Sequence, residues 1–152
     1  MDPLEHGFRM ETDWTVELED EPWAEFAELK RTDKEGVEAI FRPVEIHIHV
    51  PSEHTINGRL SDAEVHLVHK DENDVISVVG IFFDRYAGEY DNDFIESVFA
   101  AFATRDEEEF WKEEADLRLL LTEELNLSHV WQYDGSLTTP PCSEGVKWNL
   151  IA

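Results

Sequence analysis

The chain has 152 residues, 41% of them hydrophobic, with five Trp and nine Phe, which suits one domain with its own core and argues against a disordered segment. Its 36 acidic residues against 12 basic ones give a net charge of −24, a field that opposes nucleic acid and anionic membrane as partners. No run approaches the ~18 apolar residues of a membrane span, and the acidity reads either as a well-solvated surface or as adaptation to salt or an acidic compartment.

In chain order, the opening Met1–Asp13 has neither a basic n-region nor an apolar h-region, so no signal peptide is expected. Trp14 to Leu18 reads as a strand, followed by a short helix from Pro22. Asp33-Lys34-Glu35-Gly36 reads as a turn. Residues 37–50 read as a strand that ends at Pro51, which has no N–H to donate to a ladder. Asn57-Gly58 is a strong hairpin signal and is expected to return the chain as an antiparallel partner carrying His66. Asp71 to Asp74 is a further turn, and Val75 to Phe83 reads as a strand buried on both faces. Helices are expected over Asp93–Ala103 and Asp106–Leu121, the second acidic at its N-terminal end, as the helix dipole favours. Val130 to Tyr133 reads as a short strand, Asp134–Glu144 as a loop and Val146–Ile151 as a last strand. The fold class expected is α+β, mainly β: one domain over 1–152, a large, mostly antiparallel twisted sheet with peripheral helices.

Chemistry concentrates in two strand-like phrases, E-I-H-I-H-V (Glu45–Val50) and E-V-H-L-V-H (Glu64–His69). A strand puts every second side chain on one face. His47 and His49 therefore point one way, with Ile46, Ile48 and Val50 pointing the other. Glu64, His66 and Val68 likewise share a face, opposite Val65 and Leu67. If the two strands pair, three imidazoles converge and leave a fourth position open, the arrangement of a catalytic rather than a structural zinc. The same rings also read as incidental histidines, but an unpaired buried polar group costs roughly 1–3 kcal/mol, so a shared partner is expected. Neutral imidazoles leave the metal its full double charge, which brings a bound water's pKa to about 7. Glu64 reads as a surface carboxylate or as the acceptor that fixes the tautomer of His66. Cys142, the single cysteine, reads as a small buried thiol or as half of a disulfide whose partner lies outside this chain.

With P-S-E-H-T-I-N-G-R (Pro51–Arg59) and G-S-L-T-T-P-P-C-S-E-G-V-K-W (Gly135–Trp148) added to the histidine phrases, the chain resembles an α-class carbonic anhydrase of the eukaryotic type. The match runs from about Ile40 to Trp148, in three separated blocks in the family's order. The resemblance implies Zn2+ as cofactor, carbon dioxide and bicarbonate as substrate and product, and His47, His49 and His66 as the metal ligands. It makes Thr138 a gatekeeper hydroxyl beside a zinc-bound hydroxide and Glu53 the carboxylate that receives the Thr138 proton. A Thr hydroxyl has one donor and two acceptor positions, so with Glu53 taking the donor, Thr138 can only accept from the hydroxide. Thr139 becomes a neighbouring polar contact for bicarbonate. Val68, Val78, Leu137, Val146 and Trp148 become an apolar wall for carbon dioxide, although without the resemblance these five read as ordinary core. Tyr133 and His54 match supporting positions and read as structural hydrogen-bond partners.

Three features depart from the family pattern. Phe8, in H-G-F, aligns with the proton-shuttle histidine, leaving His6 or an exposed carboxylate for that task. Glu45 stands where the family usually has Gln beside the first ligand histidine; a carboxylate accepts that N–H at least as well and lowers the acidity of zinc-bound water. The family's domain also extends beyond both ends of this chain, so a fragment or a truncated relative is expected, with the usual partner of Cys142 in secreted members lying in the missing N-terminal part. The C-S-E-G phrase leans towards a secreted or luminal location by family likeness.

Reversible hydration of carbon dioxide, with an esterase side-activity, is the function this reading favours. A catalytically weak carbonic-anhydrase-like module kept for binding or assembly is the second reading. A cupin-type metalloprotein is the third, with Glu53 joining His47 and His49 as a direct ligand; the second half of that pattern is not recognisable.

Overall fold

Alternating Ile and His in residues 46–49 make a pleated ribbon with two unlike faces, and the computed structural model shows how the neighbouring strands use both. It describes residues 15–17, 28–32, 36–85, 92–96, 127 and 129–151. The chain divides into two units, 1–84 with 128–152, and 85–127. The first unit contains β1 (Thr15–Glu17), β2 (Leu29–Thr32), β3 (Glu38–His49), β4 (Thr55–Ile56), β5 (Arg59–Leu60), β6 (Ala63–Lys70), β7 (Ile76–Phe83), β8 (Val130–Ser136) and β9 (Glu144–Ile151). Among the described residues these form a sheet in the order β1-β3-β6-β7-β9-β8, with β2 also paired to β3, and a separate β4-β5 hairpin. Every pair is antiparallel except β7 with β9. A mainly β, mostly antiparallel fold is therefore what the sequence builds.

β3 has a fault that matters for the site. Its register against β6 shifts between Pro43 and Glu45, next to the one residue type that cannot donate to the ladder. Phe41 and Pro43 are buried before the shift, Ile46 and Ile48 after it. The buried series thus moves from odd to even positions at Val44, and odd positions 45, 47 and 49 are released to the opposite face. Val50, read as continuing the isoleucine face, lies beyond the end of β3 and is 45% exposed.

Asn57 and Gly58 both have positive φ, 54° and 78°, the conformation that a two-residue hairpin turn requires. They close β4 on β5, and the chain re-enters the sheet as β6. At Asp71, one carboxylate oxygen accepts from the N–H groups of Asn73 and Val75, each at 2.8 Å, fixing the turn into β7. β6 is buried on both faces through His69, and β7 is buried or half-buried throughout. On the face carrying the histidines, Val68, Val78, Val146, Trp148 and Leu150 form a buried cluster against which Val44, Ile76, Phe82 and Leu137 pack. Burying each such side chain contributes about 1.5–3 kcal/mol.

Two expected boundaries move. β8 runs to Ser136 and β9 begins at Glu144, because Asp134, Gly135 and Ser136, expected in a loop, stay paired with Lys147, Val146 and Glu144. β2 was not expected at all. In the second unit a helical turn occupies 93–96, where Asn92 accepts from Ile95 N–H at 3.1 Å as an N-cap. The helix from Pro22, the rest of the 93–103 helix and the 106–121 helix lie outside the described residues. No described helix is long and apolar enough to cross a membrane.

Candidate metal centre

The β3–β6 register places His47 opposite His66, His49 opposite Glu64 and Glu45 opposite Val68. The three histidine rings meet with centroids 4.7–5.0 Å apart, and each offers a nitrogen within 4.8 Å of the others. His47 Nε2 and His66 Nδ1 face each other at 3.1 Å.

The far sides of two of the rings meet a carboxylate. His66 Nε2 lies 2.8 Å from Glu64 Oε1. His47 Nδ1 lies 2.6 Å from Glu45 Oε1, although out of line with the ring N–H, so this buried nitrogen lacks an aligned hydrogen bond. His49 Nε2 is also buried without a hydrogen bond, 3.3 Å from Glu53 Oε2. Glu64 is fully buried. Its Oε2 accepts the backbone N–H groups of Glu53 and His54 at 2.9 Å each, and its Oε1 also meets His54 Nδ1 at 2.6 Å. Burial raises its pKa, but the hydrogen bonds from His54 and His66 outweigh burial and hold the carboxyl below its ordinary value. Glu45 is lowered too, first by the His47 ring beside it and against burial.

Burial, then the neighbouring His66, lowers the His49 pKa to about 4. Burial also lowers that of His66, against the pull of Glu64. The rings therefore keep lone pairs for a cation at neutral pH. An ionised Glu64 only accepts, so His66 Nε2 carries the proton and Nδ1 presents a lone pair to His47 Nε2. Their 3.1 Å separation is close to the ~3.3 Å edge of a tetrahedron with Zn–N bonds of about 2.0–2.1 Å. Three imidazoles with an orphaned buried nitrogen fit zinc.

The triad forms one wall of a cavity of about 170 Å³ whose lining includes Val68, Val78, Leu137, Thr138, Thr139 and Trp148. The loop supplying the two threonines is closed by Leu137 N–H to Ser143 O at 3.0 Å and Cys142 N–H to Thr139 O at 2.9 Å. Val146, expected in the same wall, is not among the lining residues. It is 1% exposed, packed in the cluster with Trp148. The expected Thr138–Glu53 hydrogen bond is not formed: Glu53 turns its carboxylate to His49, and the Thr138 hydroxyl makes no hydrogen bond among the described residues. Cys142, one reading of which was a buried thiol, is exposed. His6 and Phe8 lie outside the described residues.

Gly80 was not singled out by the sequence. It stands opposite His66 on β7, and only the absence of a side chain there leaves room for Glu64. A lone glycine within an apolar strand was the available signal.

A family model for eukaryotic-type carbonic anhydrases matches residues 12–152. A carbonic anhydrase of Nostoc sp. is 36% identical over 113 residues, 74% of this chain and 41% of that protein. The fungal α-carbonic anhydrase of Aspergillus oryzae superposes with a TM-score of 0.62 at 31% identity, covering 82% of this chain and 55% of that one. The α-carbonic anhydrase of Thermovibrio ammonificans, solved with the inhibitor sulfanilamide, gives a TM-score of 0.60 at 33% identity, with the same coverage of 82% and 55%. The chain thus spans about half the length of the solved relatives, and less of the Nostoc protein. Its matched residues, its sheet and its histidine cluster place it in the eukaryotic-type, or α-class, carbonic anhydrase family.

Proposed function

We propose that this domain catalyses the reversible hydration of carbon dioxide to bicarbonate and a proton at a zinc ion held by His47, His49 and His66. The observation that carries this reading is the cavity itself, with three converging imidazoles on one side and Val68, Val78, Leu137 and Trp148 on the other. Zinc held there acts as a Lewis acid that brings the pKa of a coordinated water to about 7.

The chain's own residues do the rest. The apolar wall offers a small apolar substrate a dry surface within contact distance of the triad. The Thr138 and Thr139 hydroxyls line the same cavity and are the groups available to orient the nucleophile and the bicarbonate oxygens. Glu53, beside His49, is the carboxylate assigned to take the Thr138 proton. Glu45 and Glu64 hold the outer edges of His47 and His66 and orient both rings. His6 is a candidate proton shuttle.

Zinc content by elemental analysis, followed by stopped-flow carbon dioxide hydration, tests the proposal. Stoichiometric zinc, rapid turnover and inhibition by a sulfonamide such as sulfanilamide are the expected results. Bound zinc without turnover points to a binding module, and failure to take up zinc removes the proposal.

A further inference from the structure

A directional chain of hydrogen bonds ends on His66. Glu64 accepts at every contact, so both ring nitrogens touching its Oε1 carry protons: His66 Nε2 at 2.8 Å and His54 Nδ1 at 2.6 Å. A neutral imidazole that donates through Nδ1 presents a lone pair at Nε2. The Tyr133 hydroxyl, 2.6 Å from that nitrogen, therefore donates to it. Tyr133 gives to His54, His54 gives to Glu64, and Glu64 holds the proton of His66 on the side away from His47.

Packing keeps the outer end of this chain in place. The Tyr133 ring stacks on Trp148, with planes within 7° and centroids 6.2 Å apart. Trp148 stands edge-on to both His54 and His66, at 4.7 and 4.9 Å. A Cβ at Gly135 would lie 2.7 Å from Tyr133 Cε2, so the missing side chain there is what lets the ring fold back. Stacking alone would serve a packing role; it does not require a hydroxyl aimed at a ring nitrogen. Nor is the His54–Glu64–His66 group a second cation site, since its 2.6 and 2.8 Å contacts are shorter than the ~3.3 Å ligand separation that tetrahedral zinc needs.

We propose that His54 and Tyr133 are positioning residues for the metal, fixing Glu64 and hence the orientation and tautomer of His66, and so setting how tightly the triad holds its cation. This rests on the reading of the triad as a metal centre. The test titrates Co2+ into the metal-free full chain and measures its Kd, its rate of release to a chelator and the Tm, for wild type, His54→Leu, His54→Asn and Tyr133→Phe. His54→Leu is expected to weaken Co2+ binding about 10- to 100-fold. His54→Asn, whose amide nitrogen takes the place of Nδ1 and still donates to Glu64, recovers most of the loss. Tyr133→Phe weakens binding about 3- to 10-fold, the worth of one hydrogen bond, and speeds release. Wild-type Kd and release rate in Tyr133→Phe overturn the proposal, with or without a lowered Tm, and this variant decides alone if His54→Leu does not fold. A wild-type chain that takes up no Co2+ overturns the metal-centre reading and this proposal with it, whereas variants matching a Co2+-binding wild type overturn the proposal only.

Discussion

Gly80 stands opposite His66 in the β6–β7 ladder, and the space of its missing side chain is taken by the Glu64 carboxylate. A Cβ there would lie 2.9 Å from Glu64 Oε1 and 2.8 Å from Leu150 Cδ2. Both neighbours are buried, so Gly80→Ala forces one of them to move. The expected cost is about 1–3 kcal/mol, as for other overpacked cores, together with weaker metal binding. Urea unfolding and a Co2+ titration check it; unchanged stability would mean that the carboxylate yields freely.

Glu64→Gln is not a conservative change. Four donors surround the carboxylate, and an amide turns two further N–H groups towards one pair of them. Either flip leaves donors facing donors. Glu64→Ala leaves all four without their acceptor and is expected to cost roughly 3–5 kcal/mol, as for breaking a buried ionic network. Glu64→Gln should fall closer to Glu64→Ala than to wild type in chemical unfolding.

Ligand and cavity residues should separate cleanly. His66→Ala is expected to lose zinc and nearly all hydration activity together. Thr138→Ala is expected to keep stoichiometric zinc while hydration falls by about a hundredfold or more. Elemental analysis and stopped-flow kinetics on the same preparations distinguish the two patterns. Undiminished hydration by a zinc-free His66→Ala protein would sink the ligand assignment.

Acid should destabilise the metal-free protein from near neutrality downward. His49 is held at about 4 and His66 below its usual value, whereas both titrate near 6.5 in the unfolded chain. Between about 6.5 and 4 the unfolded state binds more protons, so stability rises with pH across that window and is lost as pH falls through it. Glu64, lowered from 4.5, acts in the same direction: its contribution is present above 4.5 and disappears as pH falls towards its lowered value. The Tm of the metal-free protein should decline steadily from pH 6.5 to 4, and bound metal should leave over the same range. A flat profile there contradicts the buried, neutral histidines.

Alternation in E-I-H-I-H-V and E-V-H-L-V-H was enough to assign the histidine face, because a strand's two-residue period is set by the backbone. The Asn57-Gly58 turn was legible for the same reason: two positive φ angles select those residues. Pairwise contacts distant in sequence were not legible. Tyr133 reaches His54 across 79 residues, and no local pattern encodes that meeting. β2, Leu29–Thr32, was missed because L-K-R-T carries one apolar side chain, and its pairing with residues 38–41 of β3 decides its conformation. The Glu53 carboxylate turned to His49 rather than to Thr138, a choice between two nearby partners that residue types alone do not rank.

The register fault beside Pro43 has a consequence for how this protein tolerates change. Because Val44 is the supernumerary residue of β3, deleting it would leave Pro43 against His69 and Glu45 against Val68 in an unbroken ladder, with His47 still opposite His66. Deleting Ile46 instead would set His47 against Leu67 and His49 against Val65, a one-residue slip that turns both imidazoles towards hydrocarbon. Neither deletion removes a candidate ligand, yet only the second is expected to abolish cation binding. The ability to hold a cation is written here as a residue count as much as a residue choice, with slack for one lost residue at Val44 and none beyond Glu45.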